Sequence, residues 1–216
     1  MTRLVVICEG PTEEGFVKSC LAPHLLGHCV YAFPQLLSRR PGARGGGDVS
    51  LTSLTAHIRR VHRNFDCVTT LVDYYGFAGK GEMERDELLE AISSRTAEQI
   101  GAGFNPKRLI PYVQMHEFEA LLFSKPDCFD VEEKWTDSQR REVASIRAGF
   151  LSPEDINDHP NTAPSKRLLD VFTKPAFSKT LHGPLIAERI GLEVMREVCP
   201  GFGAWLTRLE SLGAGS

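Results

Sequence analysis

The first part of the chain passes from a strand pattern to a helix pattern across one acidic turn. The apolar run at residues 4–8 predicts a strand, and the pattern at residues 13–26 predicts a helix. Glu9 stands between them, just before a Gly-Pro turn, and so lies at the carboxyl end of the predicted strand. Open α/β sheets bind ligands outside the carboxyl ends of their strands. Because a lone carboxylate is costly to bury there, we interpret Glu9 as a metal ligand.

Strand and helix patterns alternate through the first half of the sequence. Further predicted strands lie at residues 30–37, 67–72 and 109–113, and further helices at residues 51–64 and 82–100. This alternation predicts an α/β fold with a mostly parallel central sheet flanked by helices. Beyond it, helices are predicted at residues 116–123, 137–148, 164–172, 185–198 and 201–212. We therefore predict an α/β domain over residues 1–125 and a helical extension over residues 126–216, packed on the edge of the sheet that carries the site.

Composition excludes several classes of protein. The formal net charge of −3 indicates no bulk attraction to nucleic acid or membrane, and no apolar stretch reaches the roughly 20 residues of a membrane span. The opening residues do not fit a signal peptide, and the six cysteines form no C-x-x-C pair. These features predict a cytoplasmic protein with reduced cysteines and no membrane partner. The sequence also has no P-loop, dinucleotide-binding or H-E-x-x-H motif.

A second apolar run ends in a carboxylate in the same way as the first. The predicted strand at residues 67–72 leads directly into Asp73. If this strand neighbours the first, Glu9 and Asp73 emerge side by side, where two carboxylates repel each other unless protonated or bridged by a cation. Oxygen ligands of this kind suit Mg²⁺ or Mn²⁺. The alternative is that each carboxylate only caps the helix that follows it.

Four further acidic or titratable positions are candidates for the same site. After the fourth predicted strand, His116, Glu117 and Glu119 stand on a predicted helix, where His116 and Glu119 are three residues apart and can meet. The two glutamates are candidates to complete a metal shell, and the alternative is an amphipathic helix with solvated acids. Glu13 follows a predicted Thr12 N-cap, and its alternative role is to complement the helix dipole.

Two basic segments are candidates for binding an anion. Pro164 fits the first position of a helix, so Ser165, Lys166 and Arg167 lie in a first turn that favours phosphate. Lys166 is the candidate to neutralise charge on that phosphate, and the alternative is a surface turn paired with neighbouring acids.

The second basic segment surrounds a glycine-rich loop. Residues 36–64 hold six arginines and one acid. Two of these arginines, Arg40 and Arg44, lie in the loop at residues 39–47. This local excess is the kind of footprint that nucleic acid binds. The alternative is a solvated hinge loop.

The acidic segments together resemble a known group of domains. The Glu-Gly-x-Thr-Glu order at residues 9–13, with a strand ending at Asp73, resembles the Toprim domain of topoisomerases, primases and nucleases of the overcoming-lysogenization-defect type. The whole chain is similar to the Toprim-like bacterial family catalogued as domain of unknown function 4276. The segments that carry this similarity are residues 9–14, 72–76, 116–123, 153–157 and 162–167.

The resemblance implies a Toprim-like fold and divalent-metal phosphoryl-transfer chemistry on nucleic acid. It implies that Glu9 acts as a general acid/base or metal ligand and that Asp73 is the first aspartate of an Asp-x-Asp pair. The second position of that pair is Tyr75 here, so Glu117 or Glu119 substitutes, or the site holds one metal, or catalysis is lost. The resemblance also implies a separate ABC-type ATPase as partner, in a system linked to phage defence.

Three hypotheses follow from the sequence. The first is a Mg²⁺- or Mn²⁺-dependent nuclease whose catalytic residues are Glu9, Asp73 and Lys166. The second is a non-catalytic adaptor that uses the site to bind an ATPase or nucleic acid. The third is a ribonuclease acting on structured RNA.

Overall fold

A parallel sheet forms the centre of the protein, whose computed structural model describes residues 1–37, 49–156 and 162–214. Its strands are β1 (Thr2–Cys8), β2 (Val30–Leu36), β3 (Cys67–Asp73), β4 (Leu109–Ile110) and β5 (Val113–Gln114). They are ordered β2–β1–β3–β4, β5 also pairs with β3, and every pair is parallel. The predicted α/β fold with a mostly parallel sheet is confirmed. The predicted loop at residues 39–47, with Arg40 and Arg44, lies outside the described residues.

The predicted fourth strand is split into β4 and β5 because Pro111 lies within it. Proline has no N–H group to donate to a neighbouring strand. Side chains of β3 bridge the gap: Thr69 Oγ1 donates to Ile110 O at 2.6 Å, and Thr70 Oγ1 donates to Tyr112 O at 2.7 Å. At the proline, hydrogen bonds from the two threonine hydroxyls therefore hold β3 to the neighbouring chain where backbone hydrogen bonds are interrupted.

Helices cover the sheet and are the main regular structure of the described residues after β5. They are α1 (Pro11–Phe16), a π-helical stretch (Val17–Leu21), α2 (Ala22–Leu26), α3 (Leu51–Val61), α4 (Arg85–Ile100), α5 (Asp137–Ala148), α6 (Pro164–Val171), α7 (Lys179–Ile190), α8 (Leu192–Val198) and α9 (Pro200–Glu210). Within the described part of the chain, no helix has the length and apolar character needed to cross a membrane.

Two predicted helices differ from the structure. The single helix predicted at residues 185–198 is divided between α7 and α8 by Gly191, whose φ of 79° lies in the left-handed region that favours glycine. The helix predicted at residues 116–123 is a 3₁₀ helix over Phe118–Ser124.

The C-terminal helices share a hydrophobic core with the first strand. Leu4 and Val6 of β1 belong to the same buried cluster as Phe202 and Trp205 of α9. Trp205 also donates its indole N–H to Thr69 Oγ1 of β3 at 2.8 Å. The second core cluster lies on the opposite face of the sheet, beneath α3 and α4. Residues before and after position 125 both contribute to the first cluster. The predicted division into two domains at residue 125 stays a prediction.

Helices α1 and α7 approach each other closely at two glycines, one in each helix. A Cβ atom added to Gly15 would lie 2.8 Å from Pro184 Cγ, and one added to Gly183 would lie 3.1 Å from Thr12 Cγ2. The missing side chains let the first turns of α7 pass beside α1, next to the carboxyl end of β1. This packing brings the beginning of α7 to the site described below.

We expect Gly15→Ala to destabilise the protein by about 1–3 kcal/mol, because the new methyl group overlaps a proline ring that cannot rotate away. Urea unfolding measures the change. Gly149→Ala is the matched control, since its added Cβ meets Ile146 O at an ordinary 3.4 Å in a right-handed helical conformation. Equal stability of the two variants would contradict the close packing of α1 on α7.

Candidate functional site

Glu9 and Asp73 lie next to each other at the carboxyl edge of the sheet. β1 and β3 are direct neighbours, with Cys8 opposite Leu71. The backbone N–H of Asp73 donates to Glu9 Oε2 at 3.0 Å. The strand pairing thus brings together the two acids that end the apolar runs.

Asp73 connects the sheet edge to the next acidic segment. Its Oδ1 accepts the backbone N–H of Phe118 at 2.9 Å, so the 3₁₀ helix begins directly against this carboxylate. Burial raises the pKa of Asp73 well above its ordinary value, and the negative charges of Glu13 and Glu9 raise it further. The fold therefore holds this acid where its ionised form is disfavoured unless a cation is near.

Glu13 is the third acid of the cluster and is almost fully buried. Gly10 is the N-cap of α1, in place of the predicted Thr12, and its N–H donates to Glu13 Oε2 at 2.8 Å. Burial, together with the charges of Glu119 and Glu9, raises the pKa of Glu13 to about 7. The hydrogen bond to Gly10 is a helix cap, whereas the raised pKa of Glu13 reflects first its burial and then the neighbouring carboxylates.

Glu117 and Glu119 complete the cluster, but not on the predicted α-helix. His116 has a φ of 62° and Glu117 an extended backbone, so the 3₁₀ helix begins only at Phe118. The predicted helix therefore does not include His116, and the helical spacing expected between His116 and Glu119 is absent. Glu119 is buried, and burial raises its pKa. The backbone C=O of His116 accepts the N–H of Tyr75 at 3.0 Å, which fixes the loop after β3.

Lys179 is the cation that faces this cluster, and the sequence analysis did not identify it. Its Nζ lies 3.2 Å from Glu119 Oε2 and 3.6 Å from Glu117 Oε1. Burial lowers the pKa of Lys179, but the attraction of Glu119, Glu117 and Asp73 outweighs it and the pKa is raised. The side chain remains 41% exposed, so it is accessible from solvent. Lys179 is the first residue of α7 and reaches the site through the packing of α7 on α1.

The predicted anion site at the start of α6 already faces a carboxylate. Ser165 is buried and donates its backbone N–H to Glu117 Oε2 at 2.9 Å. Arg167 donates from Nε to Thr162 O at 2.8 Å and lies over the ring of Phe150. Lys166 is exposed on the first turn of the same helix.

These contacts place the start of α6 beside the acidic cluster. The phosphate-binding roles of Ser165, Lys166 and Arg167 stay predictions. Residues 157–161, which belong to the same predicted polar segment, lie outside the described residues.

The donor set of the cluster fits a hard divalent cation. It consists of carboxylates, and the five acids with one lysine carry a formal charge of −4 when ionised. The acids are Glu9, Glu13, Asp73, Glu117 and Glu119. Among residues 1–37, 49–156 and 162–214, however, no three of these acids bring one oxygen each within 4.8 Å of one another. The carboxylates surround the edge of the sheet without forming a closed shell.

A different group of side chains does converge that closely. His24 Nε2 lies 2.6 Å and His28 Nε2 3.8 Å from Glu210 Oε1. Arg196 pairs with the same carboxylate, and its hydrogen bonds are the main cause that lowers the pKa of Glu210 to about 2. Because a guanidinium already neutralises this acid and would repel a dication, we interpret the group as an ion-pair network that fastens α2 to α9.

Comparison with known proteins gives one family and no relative of known activity. A family model described as a domain of unknown function (DUF4276) matches residues 8–210. No curated protein and no solved structure matches the chain. The matched region includes the acidic cluster and Lys179.

We expect Glu13→Gln to stabilise the metal-free protein at pH 8 by on the order of 2–3 kcal/mol. The pKa of Glu13 is raised from 4.5 to about 7 on folding, so the folded state binds this proton more tightly than the unfolded state. The stability linked to Glu13 is therefore present below about pH 4.5 and is lost as pH rises to about 7. Glutamine removes that loss and can still accept the N–H of Gly10.

Urea unfolding in EDTA at pH 5 and pH 8 measures the effect, which is expected to be much smaller at pH 5. Glu14→Gln is the matched control, since Glu14 pairs with Lys18 on the surface at 2.7 Å. A Glu13→Gln protein no more stable than the control at pH 8 would show that Glu13 is not held in a crowded, buried site.

Proposed function

The chain belongs to the DUF4276 family, and from the acidic site inside the matched region we propose that it is a divalent-metal-dependent nuclease. The observation that carries this proposal is that five carboxylates surround the carboxyl edge of a parallel sheet, with Lys179 paired to two of them. A cluster of this charge is unfavourable by itself and becomes favourable once a cation binds. Phosphodiester hydrolysis is the chemistry that such a site serves best.

We further propose that the α/β part of the chain is Toprim-like. The position of Glu9 after β1 and of Asp73 at the end of the neighbouring β3 supports this proposal. The similarity of the acidic segments to Toprim domains adds to it. The family match itself carries no activity, so the assignment of chemistry depends on the site.

We assign a proposed role to each residue from its position in the cluster. Glu9, Asp73 and one of Glu117 or Glu119 would hold Mg²⁺ or Mn²⁺. When bound, the ion polarises a phosphate oxygen and lowers the pKa of a water molecule. Lys179 would neutralise charge on the phosphate from beside the two glutamates, because it is both within the cluster and accessible. Lys166 is the alternative for this role, on the neighbouring turn of α6.

The proposed substrate is DNA or RNA, and the proposed partner is a separate ABC-type ATPase in a phage-defence system. The absence of a P-loop in the sequence agrees with an ATPase on another chain. A ribonuclease acting on structured RNA is a narrower form of the same proposal, and a substrate panel separates the two.

A second candidate function is a non-catalytic adaptor that binds an ATPase or nucleic acid at the same edge. Tyr75 favours this candidate, because it occupies the position of the second aspartate and its side chain is 37% exposed. A phenol does not bind Mg²⁺ as a carboxylate does. The separation of the carboxylate oxygens favours it too.

We expect wild-type protein to bind Mn²⁺ in calorimetry with an oligonucleotide present, and Glu9→Gln and Asp73→Asn to lose that binding. Each substitution removes a charge while keeping an oxygen that can accept the same backbone N–H, so the fold should be retained. Circular dichroism checks the fold, and Glu14→Gln is the control acid outside the cluster. Absence of Mn²⁺ binding by the wild type would favour the adaptor.

We expect Lys179→Gln to lower the rate of Mn²⁺-dependent cleavage by about 10²-fold or more, and Lys166→Gln to lower it much less. The physical reason is that Lys179 lies within the cluster, whereas Lys166 is exposed on α6. Cleavage of labelled DNA and RNA is measured with Mn²⁺ binding recorded for each variant, so that loss of charge compensation is separated from loss of the ion. A larger effect of Lys166→Gln would show that Lys166 of α6, and not Lys179, neutralises charge on the phosphate.

A further inference from the structure

An exposed pair of aromatic rings lies on the edge strand β2. Tyr31 is 47% and Phe33 41% exposed, and their rings are stacked with centroids 6.0 Å apart and planes 22° apart. Phe65 extends the group, with its centroid 5.7 Å from that of Phe33. We call Tyr31, Phe33 and Phe65 the β2 platform. Large aromatic side chains exposed together in this way usually mark a binding surface.

The β2 platform lies on the face of the sheet that α3 covers. Phe33 is paired with Val5 of β1, which belongs to the core beneath α3 and α4. Neighbouring residues across a sheet project to the same face, so the rings of Tyr31 and Phe33 continue that face beyond the edge of the covering helices. The platform is therefore an exposed apolar surface beside α3.

Arg60 of α3 lies near the platform through His57, and Arg63 follows it in the turn after α3. Gln35 of β2 contacts His57 of α3 at 3.5 Å, and Arg60 contacts the same histidine at 3.1 Å. Arg63 lies between Arg60 and Phe65 in sequence, and both arginines are exposed. Asp66, the acid that follows Arg63 in sequence, pairs with Arg3. In formal charge, the described residues 57–66 hold three arginines and one acid, opposite in sign to the acidic edge.

We propose that the β2 platform binds single-stranded nucleic acid, with bases stacked on Tyr31 and Phe33 and phosphates beside Arg60 and Arg63. Aromatic rings flanked by cations are the elements with which proteins hold unpaired strands without reading their sequence. The proposal takes the substrate class from the proposed function and adds where a strand lies. Phe33 is paired with Val5, so it is about 13 Å along the strand direction from Glu9.

A second copy of the chain fits this surface less well. Leu37 donates its N–H inward to Cys8 O, so Pro34 occupies a position whose backbone nitrogen faces the free edge of β2. Proline offers no donor there, which opposes strand addition. A symmetric contact through the platform would also bring two sets of arginines together. Nucleic acid supplies the negative charge that a second copy lacks.

Fluorescence anisotropy with a labelled 12-nucleotide oligo-dT and the corresponding oligo-U, in EDTA, tests the proposal without requiring a metal or cleavage. Tyr31→Ala/Phe33→Ala should weaken binding by about tenfold or more. Leu36→Ala is the matched control: it is 42% exposed on the opposite face of the same strand and should leave affinity unchanged. Both substitutions remove exposed side chains, so circular dichroism should show an unaltered fold.

Two further measurements identify the interaction. An abasic oligonucleotide of the same length should bind wild type and the double variant equally, because only stacking is removed. Arg63→Gln should weaken binding to all oligonucleotides and reduce the slope of log affinity against log salt by about one. Equal affinity of the double variant and wild type for oligo-dT and oligo-U would overturn the proposal. So would a change from dimer to monomer in the double variant by light scattering.

The outcome is separable from that of the proposed function. Oligonucleotide binding that depends on the platform, without Mn²⁺-dependent cleavage, would support the platform and reject the nuclease. Cleavage in Mn²⁺ that is unaffected by the double variant, together with unchanged binding in EDTA, would support the nuclease and reject the platform.

Discussion

Hydrogen bonds from backbone amides to carboxylates hold the acidic edge of the sheet together. Glu9 accepts the N–H of Asp73, and Asp73 in turn accepts the N–H of Phe118. Glu117 then accepts the N–H of Ser165 at the start of α6. Each acid thereby fixes the next segment of chain, from β1 to β3, to the 3₁₀ helix and to α6. Charge-assisted hydrogen bonds of this type are stronger than those between neutral groups, which offsets part of the repulsion between the acids.

The same chain contains a buried acid that shows what a purely structural carboxylate looks like. Glu154 is buried, and its two oxygens accept the N–H groups of Gly201 and Phe202 at the start of α9. A helix N-terminus supplies both donors, and these hydrogen bonds offset part of the rise that burial causes in the pKa of Glu154. At the sheet edge the donors belong to separate segments and the acids face one another, with Lys179 as their counter-charge. This difference supports a role in binding a cation at the edge and a role in capping at α9.

The sequence predicted the parts of the site that depend on local patterns. Apolar runs that end in an acid predicted Glu9 and Asp73 at the ends of strands, because strand burial and strand direction are visible in the order of residues. That the two strands are neighbours was only a condition of that prediction, and the sheet pairing fulfils it. Lys179 was missed because its position depends on the packing of α7 against α1, which no local pattern records. His116 was misplaced because a left-handed backbone at a non-glycine residue is imposed by the surrounding structure. Two other differences had a local cause in the sequence: Pro111 interrupts the fourth predicted strand, and Gly191 separates α7 from α8.

The two charged surfaces of the molecule place opposite demands on a nucleic acid. The arginines beside the β2 platform attract phosphates, whereas the ionised acidic edge repels them. Charges are screened over about 8 Å at physiological ionic strength, whereas Phe33 of the platform lies about 13 Å along the strand direction from Glu9. The arginines beside the platform therefore attract phosphates only weakly at the acidic edge. A polyanion held on the platform would therefore approach the acidic edge favourably only when a divalent cation has reduced the charge of that edge. The proposed cation would then have two effects: it would supply the chemistry, and it would determine whether a strand on the platform can reach the acidic edge.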